Sequence, residues 1–284
     1  MKRWPQLTLY GDLNMRTFRN IWLLEEINLP YKHIVCKPWS RIAKSIHPLG
    51  KVPALLVDDY YSSSSLKSEK FVIIESVAIN TFLGDIARDL SSKYNNIARD
   101  LSSNTKHDNN IQSLSTLVPI PSTPQRAKYD SLALFIATEI DSQSLWIHRK
   151  HEALGNVFGS APVAVKEAKR QFDNALDVMI NEIGDKEYIL PSGFSALDIV
   201  FVHCCNWAQQ ISWLEKNSGS TNSTISSTSE DQDDEKTTQP KALHPKLAEY
   251  LKRCRSRPAF IRANELRKNQ VYDNEKKDKH VSRL

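Results

Sequence analysis

The sequence predicts an N-terminal α/β domain followed by an all-α helical domain. Residues 1–85 alternate short apolar runs with amphipathic segments, which is typical of strands alternating with helices. Residues 125–268 show helical periodicity throughout. Between them, residues 86–124 are rich in Asn, Ser and Thr, and this composition predicts an expanded interdomain linker. Residues 269–284 lack a core pattern, so we treat them as a tail.

The N-terminal domain is predicted to begin with a strand and a helix. The apolar run at residues 7–10 predicts the strand, and apolar positions three residues apart predict a helix over Thr17–Ile27. The helix ends before Pro30, because the residue before a proline disfavours the helical backbone conformation. The rest of the domain is predicted as a strand, a short helix, a hairpin around a polar loop and a closing helix, at residues 31–36, 40–46, 52–57 with 71–74, and 75–83.

Two polar insertions interrupt this plan. The sequence IARDLSS occurs at residues 86–92 and again at 97–103, which is a tandem duplication within the predicted linker. We expect its charged residues, such as Arg88, to be solvated. The second insertion, at residues 217–241 of the helical domain, is rich in Ser and Thr and then acidic. Because it has almost no apolar residues, its composition predicts a disordered surface loop.

The helical domain is predicted to contain four main helices. They cover residues 127–145 and 163–183, a segment starting at 195, and residues 245–253. Ser195 and Asp198 have the S-x-x-D spacing of a capping box, so we expect them to start a buried helix.

Composition and charge exclude several classes of function. Apolar residues make up 40% of the 284-residue chain, charged residues make up 25%, and the formal net charge is +5. No basic cluster is interleaved with aromatics, so we expect no nucleic-acid partner. The 4 cysteines form no C-x-x-C pair, which predicts buried thiols in a reducing compartment and no metal. No apolar run is long enough for a secretory signal or a membrane span, so we expect neither.

Two stretches of the N-terminal domain could bind an extended, anionic ligand. In HPLGKVPALLVDD, at residues 47–59, Pro53 opens a strand. A cis Pro53 would leave the backbone of Val52 free to pair with the main chain of a ligand; an ordinary turn is the alternative. In VIIESVAINTFL, at residues 72–83, Ser76 stands where a strand passes into a helix. Its hydroxyl and backbone N–H could bind a carboxylate, or Ser76 could simply cap the helix.

Together, several stretches resemble the glutathione transferase superfamily. They are LYG…RNIWLLEEINLPY, PLGKVPALL, ESVAI, FSALDI and HPKLAEYLKRCRSRPAF, in the expected order over most of residues 7–261. The resemblance is nearest to theta-like or Ser-type members from bacteria, fungi and plants. It implies a thioredoxin-like N-terminal domain, an all-α C-terminal domain and a homodimer. It also implies a glutathione site in the first domain and a pocket for a hydrophobic electrophile between the two.

The same resemblance assigns glutathione-binding roles to individual residues. It makes Pro53 the cis-proline of the family and Val52 the partner of the cysteinyl backbone. Glu75 and Ser76 would hold the γ-glutamyl end, and Lys51 would lie near the glycine carboxylate, which its positive charge suits. Glutathione is then a co-substrate, and no metal is implied.

The resemblance places Met15 at the position that normally activates the glutathione thiol. A thioether donates no hydrogen bond, so Met15 cannot stabilise a thiolate in the usual way. Asn14 is our first candidate donor and Thr17 the second, with Arg16 adding positive charge; a loop that only packs is the alternative. No cysteine precedes Cys36, which argues against a thioltransferase or dehydroascorbate reductase.

The expected function is therefore conjugation of the glutathione thiolate to hydrophobic electrophiles. The alternatives are a non-catalytic module that binds glutathione or a protein, and a glutathione-dependent peroxidase or lyase. A cluster at the end of one helix could form the electrophile site or merely suit a helix C-terminus, and it consists of Trp146, His148, Arg149 and His151.

The expected location of the protein is the cytoplasm. Import into peroxisomes is the alternative, because Ser282-Arg283-Leu284 resembles the S-K-L signal with Arg in place of Lys.

Overall fold

The computed structural model describes residues 5–60, 68–101, 117–216 and 240–281. The chain folds into two compact units, Met1–Pro121 with Arg255–Leu284, and Ser122–Cys254. Several predicted features lie partly or wholly outside the described residues. They are the hairpin loop at 61–67, the end of the duplicated segment with the rest of the linker at 102–116, the acidic insertion at 217–239, and the C-terminal tripeptide.

The first unit contains a four-stranded mixed sheet. Its strands β1 to β4 are Gln6–Tyr10, Tyr31–Ile34, Ala54–Tyr60 and Glu69–Ile74, in the order β2-β1-β3-β4. β1 runs parallel to β2, which requires a helical crossover between them, and antiparallel to β3. β3 and β4 form an antiparallel hairpin. This βαβ-ββα order confirms the thioredoxin-like N-terminal domain expected from the sequence.

Three helices follow the strands of this sheet, α1 at Thr17–Ile27, α2 at Arg41–Ile46 and α3 at Ser76–Leu101. α1 is the crossover between β1 and β2, and its Phe18, Trp22 and Leu24 are buried. α1 ends at Asn28, whose positive φ of 52° is the left-handed conformation that terminates helices. The Ser40 hydroxyl caps α2 by accepting from the Ala43 amide at 3.2 Å.

α3 extends well beyond the predicted closing helix, which ended at residue 83. It continues to Leu101, through the first IARDLSS copy and into the second. Ile86 and Ala87 are buried, so this part of the segment contributes to the core. Arg88, expected to be solvated, donates to the Val118 and Pro119 carbonyls at 3.0 and 3.1 Å. That expectation was wrong, because the following chain returns against α3 and offers its carbonyls there.

The last helix, α10 at Pro258–Val281, also belongs to the first unit. The expected boundary at residue 268, between the helical domain and a tail, falls inside this helix. α10 packs on α1 through Phe260, whose ring centroid lies 4.8 Å from that of Trp22. Arg257 donates to both carboxylate oxygens of Glu26, at 2.7 and 2.8 Å. These contacts join the start of α10 to the first unit.

In its described residues, the second unit consists of helices and two isolated β-bridges, Leu190 with Gly193 and Leu214 with Lys241, in agreement with the all-α domain expected. Its α-helices are Pro124–Phe135 (α4), Trp146–His148 (α5), Gly155–Phe158 (α6), Pro162–Ile183 (α7), Ala196–Gln210 (α8) and Pro245–Arg255 (α9). The predicted continuous helix at 127–145 is wrong in detail, because Ile136–Leu145 is π-helical, as is Arg149–Ala153. The wider π turn carries an extra residue, which apolar periodicity does not reveal.

A buried polar cluster starts α8, as the capping box predicted. The Asp198 carboxylate accepts from the Ser195 backbone N–H at 2.7 Å and from the Ser195 hydroxyl at 2.8 Å. It also accepts from the Ile189 amide at 3.0 Å and from the Tyr250 hydroxyl at 2.8 Å. Burial raises the pKa of Asp198, while these hydrogen bonds oppose the rise. The cluster ties α8 to α9 inside the second unit.

Within the described ranges, no helix combines the length and the apolar character needed to cross a membrane.

Candidate functional site

The register of the sheet brings the predicted site residues to one edge of the first unit. Tyr10 at the end of β1 pairs with Ala54 at the start of β3, and Ala54 pairs with Ile74 at the end of β4. The segments attached to these three strand ends therefore lie side by side. They are the loop after β1, the turn before β3 and the junction between β4 and α3. These three segments carry all the residues to which the resemblance assigns a role in glutathione binding.

The loop at residues 11–16, which we name the thiol loop, is fixed from several sides. The Gly11 amide donates to the Ile34 carbonyl at 3.0 Å, and the Gly11 carbonyl lies 2.8 Å from His33 Nε2. Burial lowers the pKa of His33, although the Gly11 carbonyl and the nearby Asp12 oppose the shift. The Leu13 amide donates to Gln270 Oε1 of α10 at 3.1 Å. These contacts hold the loop against β2 and α10.

Asn14 lies on the exposed face of the thiol loop. Its backbone N–H and its side-chain Nδ2 both donate to Asp12 Oδ1, at 2.8 and 3.1 Å. Asp12 itself is buried. Because a carboxamide carries two N–H hydrogens and Asp12 takes one, Asn14 keeps one hydrogen for a ligand. The geometry thus fits the first candidate donor.

Thr17, the second candidate, lies behind the thiol loop. Its side chain is fully buried, and its hydroxyl has no hydrogen-bond partner in the described part of the chain. It packs so closely on Gly11 that a Cβ on that residue would overlap the Thr17 hydroxyl oxygen and lie 3.1 Å from Val52 Cβ. Because Asn14 is exposed and Thr17 is buried, Asn14 is the more accessible of the two candidate donors.

The turn before β3 carries the second group of predicted residues. The Val52–Pro53 peptide bond is cis. Pro53 is buried, Val52 is partly exposed and Lys51 is exposed. Burial lowers the pKa of the neighbouring His47, with Glu75 opposing the shift and Lys51 adding to it. Lys51 and Glu75 therefore both lie close enough to His47 to influence its imidazole.

The junction between β4 and α3 carries the third group. Glu75 is exposed and has a positive φ of 70°, a strained conformation for a residue with a side chain. Ser76 is buried, and its hydroxyl accepts from Arg19 Nη1 at 3.2 Å. Its carbonyl accepts from Asn20 Nδ2 at 2.9 Å, and the same nitrogen donates to Asn80 Oδ1 at 2.7 Å. Two consecutive residues of α1 thus hold the start of α3.

Sequence reasoning missed four residues of this arrangement. Arg19 and Asn20 had a detectable signal, since they are polar residues within a helix that is otherwise largely apolar. The local sequence gives no signal for Asp12 or Gln270, because their roles come from hydrogen bonds that only the structure shows. Asp12 binds Asn14 within the thiol loop, and Gln270 binds the Leu13 amide. Gln270 is 257 positions away from the amide it binds.

The residues considered for an electrophile site lie in the second unit and have separate contacts. His148 is buried, with its ring centroid 5.1 Å from that of Trp213, and burial lowers its pKa. His151 Nδ1 lies 2.9 Å from the Gly159 carbonyl. Trp146 and Arg149 are partly exposed. The contacts of His148 and His151 therefore run to Trp213 and Gly159.

The 4 cysteines are free and buried, as expected. Burial raises the pKa of Cys36, and the nearby Asp12 carboxylate adds to the effect. Among the described residues, no group of three or more His, Cys, Asp or Glu side chains is placed to hold a metal ion.

One comparison with known proteins matches most of the N-terminal domain. The family model for the N-terminal domain of glutathione S-transferase matches residues 16–86, which include the turn before β3 and the junction between β4 and α3 but only Arg16 of the thiol loop. A search of curated proteins gives no significant match.

Solved structures share the fold over nearly the whole chain. A glutathione transferase from Methylococcus capsulatus str. Bath has 18% sequence identity and a TM-score of 0.58, covering 92% of this chain and 98% of that chain. Glutathione transferase URE2P8 from Phanerochaete chrysosporium has 17% identity and a TM-score of 0.61, covering 96% and 99%. Glutathione transferase F2 from Populus trichocarpa has 14% identity and a TM-score of 0.56, covering 93% and 99%.

The class is therefore that of proteins that combine a thioredoxin-like α/β domain with an all-α helical domain in the glutathione transferase fold. The match over residues 16–86 confirms the resemblance to the glutathione transferase superfamily that the sequence predicted.

Proposed function

We propose that this protein is a glutathione transferase that conjugates the glutathione thiolate to hydrophobic electrophiles. The observation that carries the proposal is the meeting of three segments at one edge of the sheet: the thiol loop with exposed Asn14, the Val52–Pro53 turn, and the Glu75–Ser76 junction. Two of the similar structures support the ligand, because URE2P8 was solved with oxidized glutathione and a Pseudomonas fluorescens Pf-5 protein with two glutathione bound.

In this proposal, each segment binds one part of glutathione. The Val52 backbone pairs with the cysteinyl main chain, and Lys51 attracts the glycine carboxylate. Glu75 and Ser76 hold the γ-glutamyl end at the start of α3, where the helix dipole favours an anion. The thiol then lies at the thiol loop.

Asn14 is the proposed activating residue. A hydrogen bond from its free amide N–H to the sulfur stabilises the thiolate over the thiol and so lowers the thiol pKa. The thiolate uses its electron pair to form a C–S bond with the electrophile, and the leaving group departs with the electrons of its own bond. Glutathione supplies the nucleophile, so the reaction as written needs no further cofactor.

A non-catalytic glutathione-binding module is the second candidate, and the Asp12 carboxylate favours it. Asp12 is buried in the thiol loop and contributes to the raised pKa of Cys36. A negative charge near the glutathione sulfur opposes thiolate formation in the same way. With Met15 in place of a hydroxyl, activation then depends on Asn14 alone.

The pKa of the bound glutathione thiol decides between the two candidates. We expect thiolate absorbance to give a pKa below that of free glutathione in the wild type. Asn14→Ala should return the pKa towards the free value, whereas the matched variant Thr17→Ala should not, because Thr17 is buried. An unshifted thiol on a protein that binds glutathione would select the binding module. Turnover of a hydroperoxide would instead support the peroxidase alternative.

The proposal also includes a homodimer in the cytoplasm, with import into peroxisomes as the alternative location. The resemblance to the superfamily supports the dimer, which sedimentation of the purified protein would test.

A further inference from the structure

The buried guanidinium of Arg19 contacts the residue proposed to bind the γ-glutamyl carboxylate. Arg19 lies on α1 with 1% of its surface exposed, and its Nη1 donates to Ser76 Oγ at 3.2 Å. Asn20, the next residue, donates to the Ser76 carbonyl at 2.9 Å. Asn80 Nδ2 donates back to the Arg19 carbonyl at 3.4 Å. α1 therefore fixes both polar ends of Ser76.

This contact determines what the Ser76 hydroxyl can do. A guanidinium has only donors, so Ser76 Oγ must accept from Arg19. The single hydroxyl proton is not used in that bond, and Ser76 donates to no group among the described residues. A hydroxyl that accepts from a cation is polarised and becomes a better donor, since chains of hydrogen bonds strengthen one another. Ser76 is therefore prepared to donate to an anion.

We propose that Arg19 is a positioning residue that makes Ser76 a carboxylate donor and so selects thiols bearing a γ-glutamyl α-carboxylate. Arg19 does not touch the ligand in this arrangement. It orients the Ser76 proton outward and adds a positive charge, little screened by water, one hydroxyl away from the bound carboxylate. The inference rests on the proposed binding of glutathione and adds to it a residue that determines ligand selectivity.

The test compares two ligands that differ only in this carboxylate. The first is glutathione, and the second is 4-aminobutanoyl-cysteinylglycine, which is glutathione without the α-carboxylate of the γ-glutamyl residue. Calorimetry would give Kd for both ligands with the wild type, Arg19→Met, Arg19→Lys, Ser76→Ala and the double variant. Lys32→Met serves as the matched control, because it removes an exposed positive charge from β2 of the same unit.

We expect the wild type to prefer glutathione over the analogue by about tenfold or more, since hydrogen bonds to charged groups are the strong ones. Arg19→Met and Ser76→Ala should each lose most of that preference while keeping their affinity for the analogue. The double variant should lose no more of the preference for glutathione than Ser76→Ala alone, because Arg19 acts only through Ser76. Lys32→Met should keep the wild-type preference.

Each contrary outcome has a definite meaning. A wild-type preference in Arg19→Met, with the preference lost in Ser76→Ala, would overturn the role of Arg19. A wild type that binds neither ligand would instead refute the proposed function. A purely structural role of Arg19 would weaken both ligands equally. If Arg19→Met does not fold, Arg19→Lys takes its place in the test. Because lysine keeps a donor, this variant should prefer glutathione over the analogue more strongly than Ser76→Ala does. An equal loss of that preference in Arg19→Lys and Ser76→Ala would overturn the inference.

Discussion

Gly11 shows at the scale of single residues how tightly the thiol loop is built. Its φ of 142° lies in a region that side chains disfavour, and a Cβ at this position would overlap the Thr17 hydroxyl oxygen. A glycine here lets the chain turn from β1 towards α1 while the buried Thr17 packs beneath it. The position of Asn14 therefore depends on a neighbour with no side chain.

We expect Gly11→Ala to destabilise the protein by about 2 kcal/mol or more, because it combines overpacking with backbone strain. Thr17→Ala in the same chain should recover part of the loss, since it removes the overlapping oxygen but not the strain. Urea denaturation of the two variants and of Thr17→Ala alone measures both effects. Additive losses in the double variant would contradict the packing explanation.

At the scale of elements, α10 completes the thiol loop. Arg257 and Phe260 fix its first turn on α1, and Arg262 donates to Glu25 at 2.7 Å. Further along the helix, Gln270 Oε1 accepts from the Leu13 amide. Gln270 Nε2 is buried and has no partner within the described ranges. The last helix of the chain thus contributes one of the contacts that hold the thiol loop.

Gln270→Met should speed hydrogen exchange at the Leu13 amide, because it removes the acceptor and leaves a buried N–H without a partner. The expected loss of stability is about 1–3 kcal/mol. Gln270→Glu retains an acceptor oxygen and should keep that amide more protected than Gln270→Met does. Lys268→Met, which removes only an exposed pair with Glu265, is the control. Equal exchange at Leu13 in Gln270→Met and the wild type would show that α10 does not hold the loop.

At the scale of the whole molecule, the two structural units do not follow the domain boundaries that the sequence composition predicted. The first unit takes residues from both ends of the chain, so the C-terminal residues belong to the unit with the candidate site. Ser282-Arg283-Leu284 follows directly after α10 ends at Val281. The cytoplasm is the proposed location, and import into peroxisomes through this tripeptide is the alternative, because such signals are read at a free C-terminus.

Under the proposed cytoplasmic location, a fluorescent protein fused to the N-terminus, which leaves the tripeptide free, should give diffuse fluorescence. Under the peroxisomal alternative, the same fusion should give punctate fluorescence that coincides with a peroxisomal marker. The same fusion without residues 282–284 should be diffuse, because the signal that the import receptor reads is absent. Diffuse cytoplasmic fluorescence of the first fusion would contradict peroxisomal import and leave the cytoplasm as the location.

The sequence by itself determined the features that depend on neighbouring residues. Periodicity predicted the βαβ-ββα order, and the S-x-x-D spacing predicted the start of α8. The strand register that brings Asn14, Val52 and Ser76 to one edge came from the structure. Only the tertiary structure decided that α3 continues to Leu101, that α10 joins the first unit, and that Arg19 and Gln270 serve the site. The physical reason is that these features depend on hydrogen bonds and packing between residues far apart in the chain, which local periodicity does not encode.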